Sequence, residues 1–400
     1  MPPSPKTAVY GQRLIFAGLL LLLAWPALQA NWPVVPVRPL DGVTNPAPTP
    51  VFSWGDLWDS TYQPTLENSL TEQLGFRPWL VRVRNQVAYS IWHKALADGV
   101  VLGKDLNLFQ QNSIEAYLGR YYLGDEEIAK RAQQLRQVQD TLRAHGTELL
   151  FVIAPGKARV LPQYLPDDYA SQWRGTSNYT TVSQQFAKYG INTLDAAALM
   201  LRWQAARPPY PLFTRTGTHW SGYATTRMAD TLFHRIESMT GRDLPDFAQQ
   251  GPPDVVTRAA ELRYADKDLE DLLNLAQEIP PYPTAYPHVV FGPAQGKSPV
   301  NAIVIGDSFT KSFFTFYPYF DRLLAPESRF WYYNASVTWP EQIPSGETRQ
   351  VKDLNLAQQL RGRQLVLILS MEGNLTDVGF GFINQAFNLY CTPAAQPKVP

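Results

Sequence analysis

The chain has 400 residues and carries 35 Lys and Arg against 35 Asp and Glu, so its formal net charge is zero. That balance removes the electrostatic case for a nucleic acid partner, and the length suits one large domain or one domain with an added subdomain. A single cysteine, Cys391, excludes an internal disulfide framework and a thiolate zinc site; with no base in its neighbourhood of sequence, it reads as a packing residue.

Lys6 and Arg13 precede an apolar run from Leu14 to Leu28. A basic flank followed by an apolar stretch is the pattern of a secretory signal or a signal anchor. Leu28 sits where a cleavage site ending at Ala30 needs a small residue, so residues 1–30 are read as an uncleaved anchor with the rest of the chain translocated. Residues 31–52 follow, with Pro33, Pro36, Pro39, Pro46, Pro48 and Pro50. Such a composition forms neither a helix nor a central strand and is expected to act as a semi-rigid spacer. Residues 53–400 are read as one domain.

Within it, Leu57 to Ala97 has helical spacing. Leu66, Leu70 and Leu74 share one face, and Leu80, Val83, Val87 and Ile91 share another, with Gly75-Phe76-Arg77-Pro78 between the two. Val100 to Asp105 reads as a strand and turn. Asp125 to His145 is an amphipathic helix stopped by Gly146. Leu149 to Ala154 is a continuous apolar run, as in a strand buried on both faces. Helices are expected over Val182–Tyr189 and Tyr223–Met239, and strands over Ile191–Asp195, Ala302–Ile305, Phe330–Tyr333 and Leu365–Leu369. Buried strands alternating with helices give an α/β domain with a mainly parallel sheet. Residues 251–299 are Pro-rich and read as an irregular surface insertion with a helical patch at Leu269–Leu275.

Chemistry concentrates at strand ends. Ile303-Val304-Ile305-Gly306-Asp307-Ser308-Phe309 runs an apolar strand into Gly-Asp-Ser. Ser308 then lies at the carboxyl edge of the sheet, where open α/β folds place ligands, and its N–H at a helix start suits an oxyanion. Taken alone, the same serine reads equally as a helix cap. His219, in Thr218-His219-Trp220-Ser221, is a base suited to neutral pH. Two further turns follow neighbouring strands, Asn334-Ala335-Ser336 and Glu372-Gly373-Asn374. A backbone N–H at Ala335 or Ser336 and the Asn374 side chain are candidate oxyanion donors, and each turn alone also fits a capping role. Lys157, Arg215 and Asn334 are candidate substrate contacts; a surface role for Lys157 and a structural ion pair for Arg215 fit as well. There is no P-loop, dinucleotide fingerprint or His-Glu-x-x-His motif, so neither a cofactor nor a metal is expected.

Together these pieces resemble the SGNH hydrolase superfamily, in the circularly permuted form of the alginate O-acetyltransferase family. They are Gly75 to Pro78, Val100 to Asp105, Ile153 to Ala158 with Leu165-Pro166, Thr216 to Ser221, and Gly306 to Phe309, with the histidine motif before the serine motif. The resemblance implies an SGNH-like sheet with flanking helices, preceded by an N-terminal helical region and one anchor. It also implies an enzyme anchored in the inner membrane and facing the periplasm. Such an enzyme takes acetyl from a multi-spanning membrane O-acyltransferase and delivers it to a polysaccharide. Ser308 becomes the nucleophile, His219 the base and Asn374 an oxyanion donor. The chain departs from the family at Gly217, where an aspartate normally stands two residues before the histidine. Three readings follow, in this order: a Ser/His dyad oriented by a backbone carbonyl, replacement of the aspartate by Glu372, or a catalytically weak glycan-binding domain. A carbohydrate acetyl esterase is the alternative reaction.

Overall fold

A computed structural model describes residues 5–42, 48–52, 54–58, 60–263, 265–339 and 349–391. The chain divides into two compact units, residues 1–98 with 270–278, and residues 99–269 with 279–400. Residues 53–98 group with the N-terminal segment in this division.

The N-terminal unit holds three helices, α1 (Pro5–Asn31), α2 (Tyr62–Gln73) and α3 (Arg77–Trp92). Residues Val9–Asn31 of α1 are long and apolar enough to cross a membrane, with mean hydropathy 1.7. The Gly75 motif has a clear task. The Gly75 N–H donates to Pro26 O in α1 at 3.1 Å, and a Cβ there would stand 2.3 Å from that oxygen, so only glycine lets the loop approach α1 this closely. The proline-rich segment forms no helix or strand over its described part, as its composition dictates; Pro46 lies outside the described residues. It is not a bare spacer, however. The Val34 and Val35 N–H groups donate to Gln29 Oε1, Arg82 of α3 donates to the carbonyls of Arg38 and Pro39, and the Asp41 N–H donates to Asn274. Backbone groups that proline cannot pair in a ladder are satisfied by side chains instead.

The second unit is built on a seven-stranded sheet. Its strands are β1 (Glu148–Ala154), β2 (Thr193–Asp195), β3 (Ala302–Gly306), β4 (Arg329–Tyr332), β5 (Ser336–Trp339), β6 (Arg349–Gln350) and β7 (Leu365–Met371). Their spatial order is β6-β5-β4-β3-β7-β1-β2. The pairs from β4 to β2 are all parallel, while β5 and β6 add an antiparallel edge. The central strands read as unbroken apolar runs because both sheet faces are covered. Leu150, Val152 and Ala154 pack under the helix α6 (Gly222–Thr240), while Leu149, Phe151 and Ile153 face α4 (Asp125–Ala144) and α5 (Asn178–Tyr189). Each fully buried Leu, Val, Ile or Phe among them contributes about 1.5–3 kcal/mol. Cys391 packs at the edge of the second of these layers.

The insertion is more ordered than its composition suggested. Two short antiparallel ladders close it, Phe247–Gln249 with Val289–Phe291 and Asp254–Val256 with Thr284–Tyr286. Ala265, Asp266 and Tyr286 are buried beneath it, and a helix, α7 (Asp268–Leu273), stands where the patch was expected.

Candidate active site

Parallel register brings the strand ends to one edge. Gly306 pairs with Tyr332 on one side and Leu369 on the other, and Met371 pairs with Ala154. Ser308 opens helix α8 (Ser308–Thr315) immediately after β3. As the first residue of the helix, its N–H has no intrahelical acceptor. Asp307 fixes this turn from below. It is fully buried; one carboxylate oxygen accepts from the Phe309 N–H at 3.0 Å, and the other accepts from the Met371 N–H at 2.7 Å and Asn374 Nδ2 at 2.8 Å. Burial pushes its carboxyl up, and these three donors pull it back.

His219 arrives from the loop before α6, which Ser221 caps through the Ala224 N–H. Its Nε2 is 2.8 Å from Ser308 Oγ, and its Nδ1 is 2.7 Å from Asp268 Oδ2. An ionised carboxylate only accepts, so Nδ1 carries the proton and Nε2 is left to accept from the serine hydroxyl. The imidazole is nearly buried and rests on the Phe309 ring at 4.8 Å. Asp268 is itself held: its Oδ1 accepts from the N–H groups of Thr218 and Leu269 at 2.8 and 3.0 Å. Serine, histidine and aspartate thus lie in one hydrogen-bonded chain, in the order that nucleophile, base and orienting acid take in acyl-transfer sites.

The orienting acid is not Glu372. That side chain is buried in an ion pair with Arg159, whose Nε donates to it at 2.7 Å, and it accepts the Gly156 N–H at 2.9 Å. It ties β7 to the loop after β1 and makes no contact with His219. Asp268 was missed because it sits in the insertion, 49 residues from the histidine, with no strand or motif beside it. The one available signal was negative. At Gly217 a Cβ would stand 2.6 Å from the Ala265 carbonyl and 3.0 Å from that of Asp266. The glycine that removes the usual aspartate is the opening through which the segment bearing Asp268 passes.

Other expected roles are also corrected. Lys157 is fully buried, and its Nζ donates to the carbonyls of Leu108, Thr214, Arg215 and Gly217, pinning the histidine loop. Arg215 stacks on Tyr282 and donates to Pro280 O, with Asp105 nearby. Asn334 is buried and donates to Phe380 O and Gln385. Each of the three donates to buried or loop backbone carbonyls. The Ala335 N–H donates within its own turn to Tyr332 O, and Ser336 is paired into β5. Asn374 does lie beside the Ser308 turn. Tyr333, which sequence reasoning passed over, adopts left-handed backbone with φ 51°, and its hydroxyl lies near Ser308 and Asn374. Burial raises its pKa, so it remains a donor at neutral pH.

Residues 100–327 match the model of the SGNH hydrolase-like domain of the acetyltransferase AlgX. A probable alginate O-acetylase AlgJ of Pseudomonas putida is 35% identical over 139 residues, 34% of this chain and 34% of that protein. The protein of the same description from Pseudomonas syringae is 26% identical over 264 residues, 65% of this chain and 59% of that one. The chain therefore spans less than two thirds of the length of these curated relatives. Among solved structures, the O-acetyltransferase domain of Pseudomonas putida AlgJ aligns with a TM-score of 0.44 at 22% identity, over 73% of this chain and 99% of that domain.

Proposed function

The chain belongs to the SGNH hydrolase-like acetyltransferase family typified by AlgX, and from that premise we propose that it O-acetylates a polysaccharide through an acyl-serine intermediate. The observation that carries this reading is the continuous Asp268–His219–Ser308 hydrogen-bond chain.

His219 Nε2 takes the hydroxyl proton as Ser308 Oγ attacks the acetyl carbonyl, and Asp268 balances the imidazolium charge. The Ser308 N–H, the second N–H of Asn374 Nδ2 and the Tyr333 hydroxyl surround the place where the oxyanion develops. The imidazolium returns its proton to the departing donor oxygen, leaving acetyl on Ser308. A sugar hydroxyl then attacks, His219 removes its proton, and the acetyl passes to the sugar as Ser308 is reprotonated. Water in place of the sugar would make the same site an esterase.

Helix α1 is the proposed membrane span. Its basic N-terminal flank favours a cytoplasmic N-terminus and places the rest of the chain outside, facing the periplasm. A multi-spanning membrane O-acyltransferase is the proposed acetyl donor.

The test is acetyl labelling. The full chain in detergent, treated with an activated acetyl ester, should gain one acetyl mass on Ser308, and neither Ser308→Ala nor His219→Ala should label. Label that persists in Ser308→Ala would refute the acyl-serine mechanism. Given an oligosaccharide, the labelled protein should transfer acetyl faster than it releases acetate; the reverse order would make it an esterase.

A further inference from the structure

Helix α3 reads RPWLVRVRNQVAYSIW, with three arginines and no acid. Its apolar face, predicted by its spacing to be core, is turned outward: Trp79, Leu80, Val83 and Ile91 are exposed, and the residues it buries are Asn85 and Ala88. A helix that buries an asparagine and exposes this stripe inverts the pattern of a helix in a water-soluble unit. Tryptophans follow the same division. Trp25, Trp32, Trp54, Trp58, Trp79 and Trp92 are each more than half exposed, whereas in the second unit Trp173 is exposed, Trp203 and Trp339 are part-buried and Trp220 and Trp331 are fully buried. Indole rings collect at membrane interfaces, where their apolar body and N–H meet lipid and water together.

The position of α3 is also set. The loop that leads into it is tied to α1 by the Gly75–Pro26 hydrogen bond, five residues before the end of the candidate span at Asn31. Five residues of helix rise about 8 Å, the depth at which interfacial helices lie, about 5–10 Å into the headgroup–acyl boundary. An open groove of about 810 Å³, lined by Leu22, Trp25, Val35, Phe76, Trp79 and Leu80, joins the two helices there.

We propose that α3 lies flat in the outer interface of an anionic phospholipid bilayer, with Trp79, Leu80, Val83 and Ile91 in the acyl boundary and its arginines towards the headgroups. The N-terminal unit is then a membrane-resident platform. This rests on the proposed insertion of α1 and goes beyond it, because a span alone requires nothing of α3.

The test uses the full chain with Cys391→Ser and one added cysteine, Val83→Cys, Ile91→Cys or Leu19→Cys, carrying an environment-sensitive fluorophore. The proteins are reconstituted in phosphatidylglycerol–phosphatidylethanolamine vesicles with a nitroxide quencher at a shallow or a deep acyl position. Val83 and Ile91 are exposed, so labels there disturb no packing. The shallow quencher should be about twofold more effective than the deep one at Val83→Cys and Ile91→Cys, and the deep one more effective at Leu19→Cys. Quenching at Leu19→Cys alone would overturn the platform and leave the anchor standing. No quenching at any of the three would overturn both. Equal quenching at Val83→Cys in phosphatidylcholine vesicles would overturn the requirement for anionic lipid.

Discussion

Two carboxylates on separate parts of the fold compete for the same task. Glu372 stands at the end of a central strand, where topology points, and Asp268 stands in a proline-rich insertion, inside the loop that two short ladders close. The strand-end acid is locked against Arg159, and the insertion acid reaches His219. Topology says where a side chain begins; which acid is available for chemistry depends on what else is buried beside it. A glutamate already neutralised by a buried arginine serves cohesion. A part-exposed aspartate held by two backbone donors is fixed in place and still free to balance an imidazolium.

The sharpest way to break this comparison is Asp268→Asn. An amide cannot hold the Nδ1–H tautomer, and acyl transfer should fall about 10⁴-fold with the fold intact by circular dichroism; an unchanged rate would return the role to another group. Gly217→Ala comes next. Its methyl would push the 265–268 segment away, and displacement of the acid by about 1 Å should cost about 10²-fold in turnover. A rate equal to wild type would mean that the segment yields without moving Asp268.

Glu372→Gln should do the opposite of Asp268→Asn. Acyl transfer per folded molecule stays as it was, while Tm falls, because a buried arginine left without its carboxylate costs about 3–5 kcal/mol. Loss of transfer with no loss of stability would reverse the assignment of the two acids.

The smallest effect concerns Asp266, buried beside the site and hydrogen-bonded by the Tyr286 hydroxyl at 2.7 Å. Burial pushes its carboxyl up to about 8, against about 3.9 when unfolded. Between these values the folded state binds the extra proton, so stability declines as pH rises from about 4 to about 8 and levels off above. Wild-type Tm should fall across that window, and the fall should be smaller in Asp266→Asn. Parallel curves would show that Asp266 ionises normally in the folded chain.

Much of this was legible in the sequence. The apolar runs of β1, β3 and β7 declared a buried parallel sheet, and a sheet of that kind must deliver Ser308 and Asn374 to one edge. His219 was legible as the base. The remainder escaped because it depends on burial and not on pattern. The stripe Leu80-Val83-Val87-Ile91 has the same spacing whether it faces a core or lies outward, and Lys157, Arg215 and Asn334 are polar residues whose donors are spent on backbone carbonyls. Asp268 follows no periodicity at all.

The close approach at Gly217 bears on how such chains are recognised. A search that requires an acid two residues before the histidine would discard this one as inactive. Here the glycine at 217 and the backbone that carries Asp268 occupy the same few ångströms, so a side chain at 217 and this path of the segment exclude one another. Restoring aspartate at 217 would collide with the carbonyls of 265 and 266, and neither state can be reached from the other by a single tolerated substitution. A glycine at that place is thus compatible with a complete Ser–His–acid chain when the acid arrives from an insertion downstream.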